Sequence, residues 1–284
     1  MEERQTNLFE AKNAKKVHKS ASEEYILKEE VEFLGKEIGN FFAEPPKQLA
    51  GYESIQVILT SPNGDNAYKD WINSSFYSCF ETWNKSPEYP VDELANTLSF
   101  EEKETKVLYM LSQRPISATL ESVHFTFRLL GVPRSLLAQF NRHRQFALCE
   151  RSMRVSSCYA DAVRVPESLL QMPESEERQK LMKIYEDTVK HCRETFKTLV
   201  EANLPIEQVR NIMPIGVLSS TNGTMDLKSL VDYFRARTID ITMDEHTYLV
   251  CLMAKEMKEK QPKFFEYVLK NCKNLQQTME KYLR

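Results

Sequence analysis

Glycine is scarce in this chain, with seven residues in 284. No GxGxxG pattern and no GxxxxGKS or GxxxxGKT pattern occurs, which excludes the two common glycine-rich cradles for phosphate. An excess of one charge is also lacking: 38 Lys and Arg stand against 41 Asp and Glu, a formal net of -3. No global field therefore draws the chain to nucleic acid or to a membrane surface, and any anion site must be local. Long apolar runs are missing, so no segment is expected to span a bilayer. Met1 to Lys16 is charged and has no apolar core, which predicts no signal peptide. The six cysteines, Cys79, Cys149, Cys158, Cys192, Cys251 and Cys272, are scattered without a CxxC pair. That pattern favours free thiols in a reducing cytoplasm. Cys149, Cys158 and His143 are too loosely spaced for zinc, so no metal is expected.

What is present reads as alternating helices and strands. Ala21 to Ala43 has near-helical apolar spacing, closed by Pro45-Pro46. Ile55 to Thr60 reads as a strand and Ser61 to Asp65 as a turn. Helices are predicted from Ala67 to about Cys79 and from Phe100 to Gln113. Val123 to Leu130 alternates like a partly buried strand, which Gly131-Val132-Pro133 breaks. A helix then begins at Arg134. Glu174 to Ala202 is a long amphipathic helix, with Leu181, Ile184, Tyr185, Val189, Cys192 and Phe196 on one stripe. Ser219 to Thr224 reads as a short turn, and helices follow from Leu227 to Ala236, Asp244 to Lys260 and Pro262 to Leu283. The expected fold class is α+β, a small antiparallel or mixed sheet flanked by long helices. Residues 1–50 are expected to be an N-terminal helical extension and residues 51–284 one domain.

The most informative stretch is Arg142-His143-Arg144, followed after seven residues by Ser152-Met153-Arg154. Clustered cations repel one another unless anions sit among them. Guanidinium forks match phosphate oxygens bidentately, so phosphates are the natural guests. His143 between two arginines is expected to have a depressed pKa. The segment follows a strand, a break and a short helix, a place where sites commonly sit. The plain alternative is a solvated charged face.

Phe125-Thr126-Phe127, then Gly131-Val132-Pro133-Arg134, Gln139, Arg142-His143-Arg144 and Ser152-Met153-Arg154 follow in order. This composite resembles the signature of the flavin-dependent thymidylate synthases. Upstream, Ser117 to Glu121 resembles a flavin-contacting loop of that family. Downstream, Arg210-Asn211-Ile212-Met213-Pro214 resembles its Arg-x-x-Leu-Pro element. Leu227 to Arg237 resembles its x-Arg-Ser-Leu-x-x-Phe-x-x-x-Arg pattern, in register from Arg210. The resemblance covers residues 100–260 and leaves the first fifty outside.

The resemblance implies transfer of a one-carbon unit from methylenetetrahydrofolate to C5 of dUMP, giving dTMP, with NADPH reducing FAD. It implies that Gln139, Arg142, Glu150, Ser152, Met153, Arg154, Arg210 and Arg237 contact the nucleotide, with Arg237 and Ser152 taking catalytic roles. Glu121, Arg142, His143, Arg144, Asp226, Lys228 and Asp232 would hold the flavin. It further implies a homotetramer whose sites are shared between subunits. Read without it, Lys228, Asp232 and Arg235 are an ordinary salt-bridged helix face, and Cys149 is a small buried residue rather than a thiolate nucleophile.

The chain departs from the family at several points. Ala147 stands for Ser, Cys149 for Asn, Val155 for an aromatic and Ile116 for His, and His246 to Val250 poorly matches Ala-Gln-x-Glu-Ile. These departures leave open hydroxymethylation at C5, UMP as substrate, or a non-catalytic nucleotide-binding relative.

Overall fold

The computed structural model describes residues 49–62, 64, 66–83, 90–113, 116–153, 158–159, 161–239 and 243–283. The helix expected from Ala21 to Ala43 lies outside them, as do Arg154 and Val155. The strands are β1 (Leu49–Ala50), β2 (Gln56–Ser61), β3 (His124–Pro133), β4 (Ala147–Glu150), β5 (Val163–Arg164) and β6 (Leu218–Asp226). The helices are α1 (Ala67–Trp83), α2 (Val91–Thr97), α3 (Phe100–Gln113), α4 (Ser117–Glu121), α5 (Arg134–Phe140), α6 (Glu167–Leu170), α7 (Glu176–Glu201), α8 (Ile206–Val209), α9 (Leu227–Arg237), α10 (Asp244–Lys260), α11 (Pro262–Asn271) and α12 (Leu275–Tyr282).

The expected single domain over 51–284 is divided into two compact units. Gly51–Arg151 and Leu218–Arg284 form one, and Ser152–Val217 groups with Leu49–Ala50 in the other. The larger unit is built on a four-stranded antiparallel sheet of order β2-β3-β6-β4. Strand β3 alternates as its sequence predicts. Phe125, Phe127 and Leu129 are fully buried, and each contributes roughly 1.5–3 kcal/mol of apolar burial.

Gly131 does not end this strand. It takes a φ of +66° at a register shift between Leu130 and Val132, and pairing with β6 resumes through Pro133. A Cβ on Gly131 would meet the Ser54 carbonyl oxygen at 2.1 Å, so glycine is needed there. Ser219 to Thr224, expected as a turn, is the body of β6, which pairs with β3 on one side and β4 on the other. Turn-forming residue types misled the reading; pairing on both flanks satisfies this backbone instead. Strand β4 was also missed, its sequence being too short to show a period. Ser117 to Glu121, expected as a loop, is the short helix α4.

The helices pack their apolar stripes on this sheet. In α9, Leu227, Leu230, Val231 and Phe234 are buried at helical spacing. Asp226 caps α9, accepting from Ser229 N and Ser229 Oγ, each at 2.8 Å. Helix α10 buries Leu249, Val250, Met253, Ala254 and Met257. It also covers the β2 edge, where Leu59 N donates to Glu256 at 2.9 Å and Lys260 Nζ donates to Leu59 O at 3.1 Å.

In the smaller unit, β1 and β5 pair in parallel beside α7. Val189 and Phe196 of α7 are buried with Val163, Val209, Met213 and Val217. The expected α7 stripe is only partly used: Leu181 and Ile184 are exposed.

Candidate active site

Helix α5 delivers the Arg-His-Arg segment through a tight turn. Arg142 N donates to Gln139 O at 3.2 Å, His143 N to Phe140 O at 3.0 Å, and Phe146 N to His143 O at 3.1 Å. Phe140 and Phe146, their rings tilted against each other with centroids 4.2 Å apart, anchor both ends of that turn in the core. Gly223 of β6 makes the room, since a Cβ there would meet Leu148 at 2.9 Å and Phe146 at 3.3 Å.

The turn separates the three members of the motif. Arg142 and Arg144 are exposed, whereas His143 is half-buried. Neither arginine forms an ion pair among the described residues. His143 turns inward to the last residue of α9. Arg237 Nε lies 2.9 Å and Nη2 2.7 Å from His143 Nε2. A guanidinium has only donors, so His143 Nε2 accepts and the ring is neutral with its proton on Nδ1. Burial lowers the His143 pKa below 6.5, and the Arg237 charge lowers it further. The depression was expected, but its cause is corrected: it comes from burial and Arg237, not from the flanking arginines. Arg237 Nη1 has no hydrogen-bond partner among the described residues.

Beneath this pair lies a layer that motif reading missed. Tyr233 Oη is 2.8 Å from His246 Nε2, and both side chains are buried. The Tyr233 ring meets the His143 ring edge-on, with centroids 4.8 Å apart. The visible signals were a Tyr at the family's Phe position and a His opening its poorest-matched element.

The other expected residues fall as follows. Gln139 donates from Nε2 to the Met243 sulfur at 3.4 Å. Glu150 is engaged at both oxygens, by Arg134 at 3.0 Å and Asn141 at 2.6 Å. Glu121 ends α4 and is exposed. Asp226 is occupied as the α9 cap. Lys228 and Asp232 form an exposed ion pair at 3.2 Å, and Asp232 also binds Arg235 at 3.2 Å. Ser152, Met153 and Arg210 belong to the smaller unit, where Arg210 Nε donates to Glu207 O at 3.2 Å. Cys149, expected to be buried, is exposed on β4. Among the described residues no group of three His, Cys, Asp or Glu could hold a metal ion.

The α+β fold thus sets exposed guanidiniums and a half-buried arginine held by a neutral imidazole on one unit, a donor set chemically suited to anions. The family described as "Thymidylate synthase complementing protein" matches residues 67–263. The chain belongs to that family of enzymes, as a divergent member. It is 27% identical over 222 residues to the flavin-dependent thymidylate synthase of Haloarcula marismortui, covering 70% of this chain and 89% of that one. It is 29% identical over 194 residues to the flavin-dependent thymidylate synthase of Clostridium tetani, covering 65% and 78%. The fold is similar to that of the UMP/dUMP methylase PolB from Streptomyces cacaoi bound with 5-Br dUMP, at TM-score 0.60 and 16% identity, covering 78% and 97%. It is also similar to Thymidylate Synthase X from Helicobacter pylori with FAD and dUMP, at TM-score 0.51 and 16% identity, covering 76% and 99%. No described helix is long and apolar enough to cross a membrane.

Proposed function

We propose that this enzyme methylates dUMP at C5, with FAD as its flavin, methylenetetrahydrofolate as carbon donor and NADPH as reductant. The observation that carries the reading is the Arg237–His143 pair. It holds a guanidinium in a half-buried place, opposed by a neutral ring rather than by a carboxylate. A pyrimidine carbonyl gaining negative charge is stabilised by such a donor, which needs no reorganisation as the charge develops. Arg237 Nη1 is the atom that would donate to it.

The donor set fits a flavin dinucleotide as well. Arg142 and Arg144 are exposed without carboxylate partners among the described residues, which suits phosphate oxygens. Lys228 adds a cation on the same unit. When bound and reduced, FAD supplies hydride. The chain's own part is to bind, orient and polarise. Glu150 contributes indirectly: by fixing Arg134 and Asn141 it braces the turn that carries His143. Assembly as a homotetramer and a cytoplasmic place of action belong to the same reading.

The test is spectroscopic and then chemical. Protein incubated with FAD is expected to show a bound-flavin spectrum that shifts on adding dUMP. With methylenetetrahydrofolate and NADPH it is expected to yield a product of the mass of dTMP. A protein that takes up no FAD sinks the flavoenzyme reading, and a hydroxymethyl product sinks the methylation.

A further inference from the structure

The Tyr233–His246 pair has no part in the chemistry proposed above. Its two side chains are 2% and 0% exposed. Burying a hydroxyl and an imidazole costs free energy that one hydrogen bond only partly offsets. His246 Nδ1 has no partner among the described residues, so the pair is incompletely satisfied. Two apolar side chains would fill this space at lower cost.

Its position gives the pair a use. The Tyr233 ring stands edge-on to the His143 ring at 82°, and His246 stands edge-on at 86° with centroids 5.9 Å apart. Phe140 and Phe146 hold Tyr233 from other directions, at 5.5 Å and 5.1 Å. Thr247, next to His246, donates to the Arg237 carbonyl at 3.1 Å. The ring that accepts from Arg237 and the backbone that carries Arg237 therefore rest on the same turn of α10.

We propose that Tyr233 and His246 are positioning residues: their hydrogen bond fixes the floor under His143 and so fixes the direction of the Arg237 guanidinium. The proposal rests on reading Arg237 as a nucleotide ligand. The titratable groups against the His143 ring are Arg237 and Tyr233 from α9 and His246 from α10, and its own segment adds the exposed Arg142 and Arg144. Burial, Arg237 and His143 hold the His246 pKa down to about 3. Burial pushes the Tyr233 hydroxyl well above its ordinary value. Tyr233 and His246 are thus both neutral, joined by one hydrogen bond, beside the charge of Arg237.

The experiment follows His143 by NMR titration of the imidazole carbons, assigned with His143→Gln, in the native chain, in Tyr233→Phe and in Tyr233→Phe/His246→Leu. The native ring is expected to titrate below 6.5. Both variants are expected to move it up toward 6.5. Both are also expected to lower dUMP affinity by about tenfold, the loss expected when one buried hydrogen bond is unmade. The double variant removes both polar groups and is expected to regain thermal stability without regaining the native titration. If the double variant regains both, the pair is a packing detail and the proposal is overturned. An unshifted His143 titration in folded Tyr233→Phe overturns it too. The titration needs no nucleotide, so a native chain that fails to bind dUMP counts against the functional reading alone.

Discussion

The two ends of α9 carry the same kinds of residue and use them differently. At the N-terminal end, Asp226 caps the helix and Lys228 forms an exposed ion pair with Asp232 at 3.2 Å. At the C-terminal end, Arg237 meets a neutral, half-buried imidazole above a buried Tyr–His pair. Exposed ion pairs are screened and worth little. A guanidinium matched by an imidazole keeps its whole charge for something else. One end of the helix therefore has its charges paired within the chain, while at the other Arg237 Nη1 has no hydrogen-bond partner among the described residues.

Acid should separate the two ends most strongly. The His246 pKa is held at about 3 in the fold, against an ordinary 6.5. The unfolded chain therefore takes up this proton first as pH falls. The stability tied to a neutral His246 is complete above 6.5 and is lost as pH falls toward 3. The loss is on the order of 5 kcal/mol. Urea unfolding at stepped pH checks this, with His246→Leu expected to flatten that limb and Lys228→Ala to leave it alone. An equal acid limb in His246→Leu would refute the assignment.

Arg237→Lys comes next. It keeps the charge and loses the fork, so dUMP affinity should fall about 100-fold. Calorimetric titration measures it, and undiminished binding would move the nucleotide away from this end. Asp226→Ala should cost about 1 kcal/mol of stability through the lost cap, read by thermal unfolding. The smallest effect belongs to Lys228→Ala, within about 0.5 kcal/mol of native stability. A severalfold loss of FAD affinity in that variant, at unchanged stability, would give the exposed end a share in the site; unchanged affinity would leave it an ordinary helix face.

Several elements were legible from sequence because their signals are local. Helix α3 follows its acidic first turn, and α10 follows its apolar period. The core face of β3 follows its alternation. Strand β6 was not legible, because Ser219-Ser220-Thr221-Asn222-Gly223-Thr224 has the composition of a turn. Only neighbours on both sides make it a strand. The bulge at Gly131 was misread as an end for the same reason: the partner that lets pairing resume is Val132's neighbour Ser219, far along the chain.

The motif named the cations but not their partners. His143 and Arg237 are 94 residues apart, and Tyr233 and His246 are 13 apart on different helices. Motif reading assigned Asp226 and Glu150 to ligands, and the fold engages both internally. The sequence by itself determined the family, the α+β class and the guanidinium supply, because those depend on residue types at short spacing. Only the tertiary structure decided which cation is met by a neutral ring, because packing α9 and α10 on the sheet sets burial, and burial sets which protons are held.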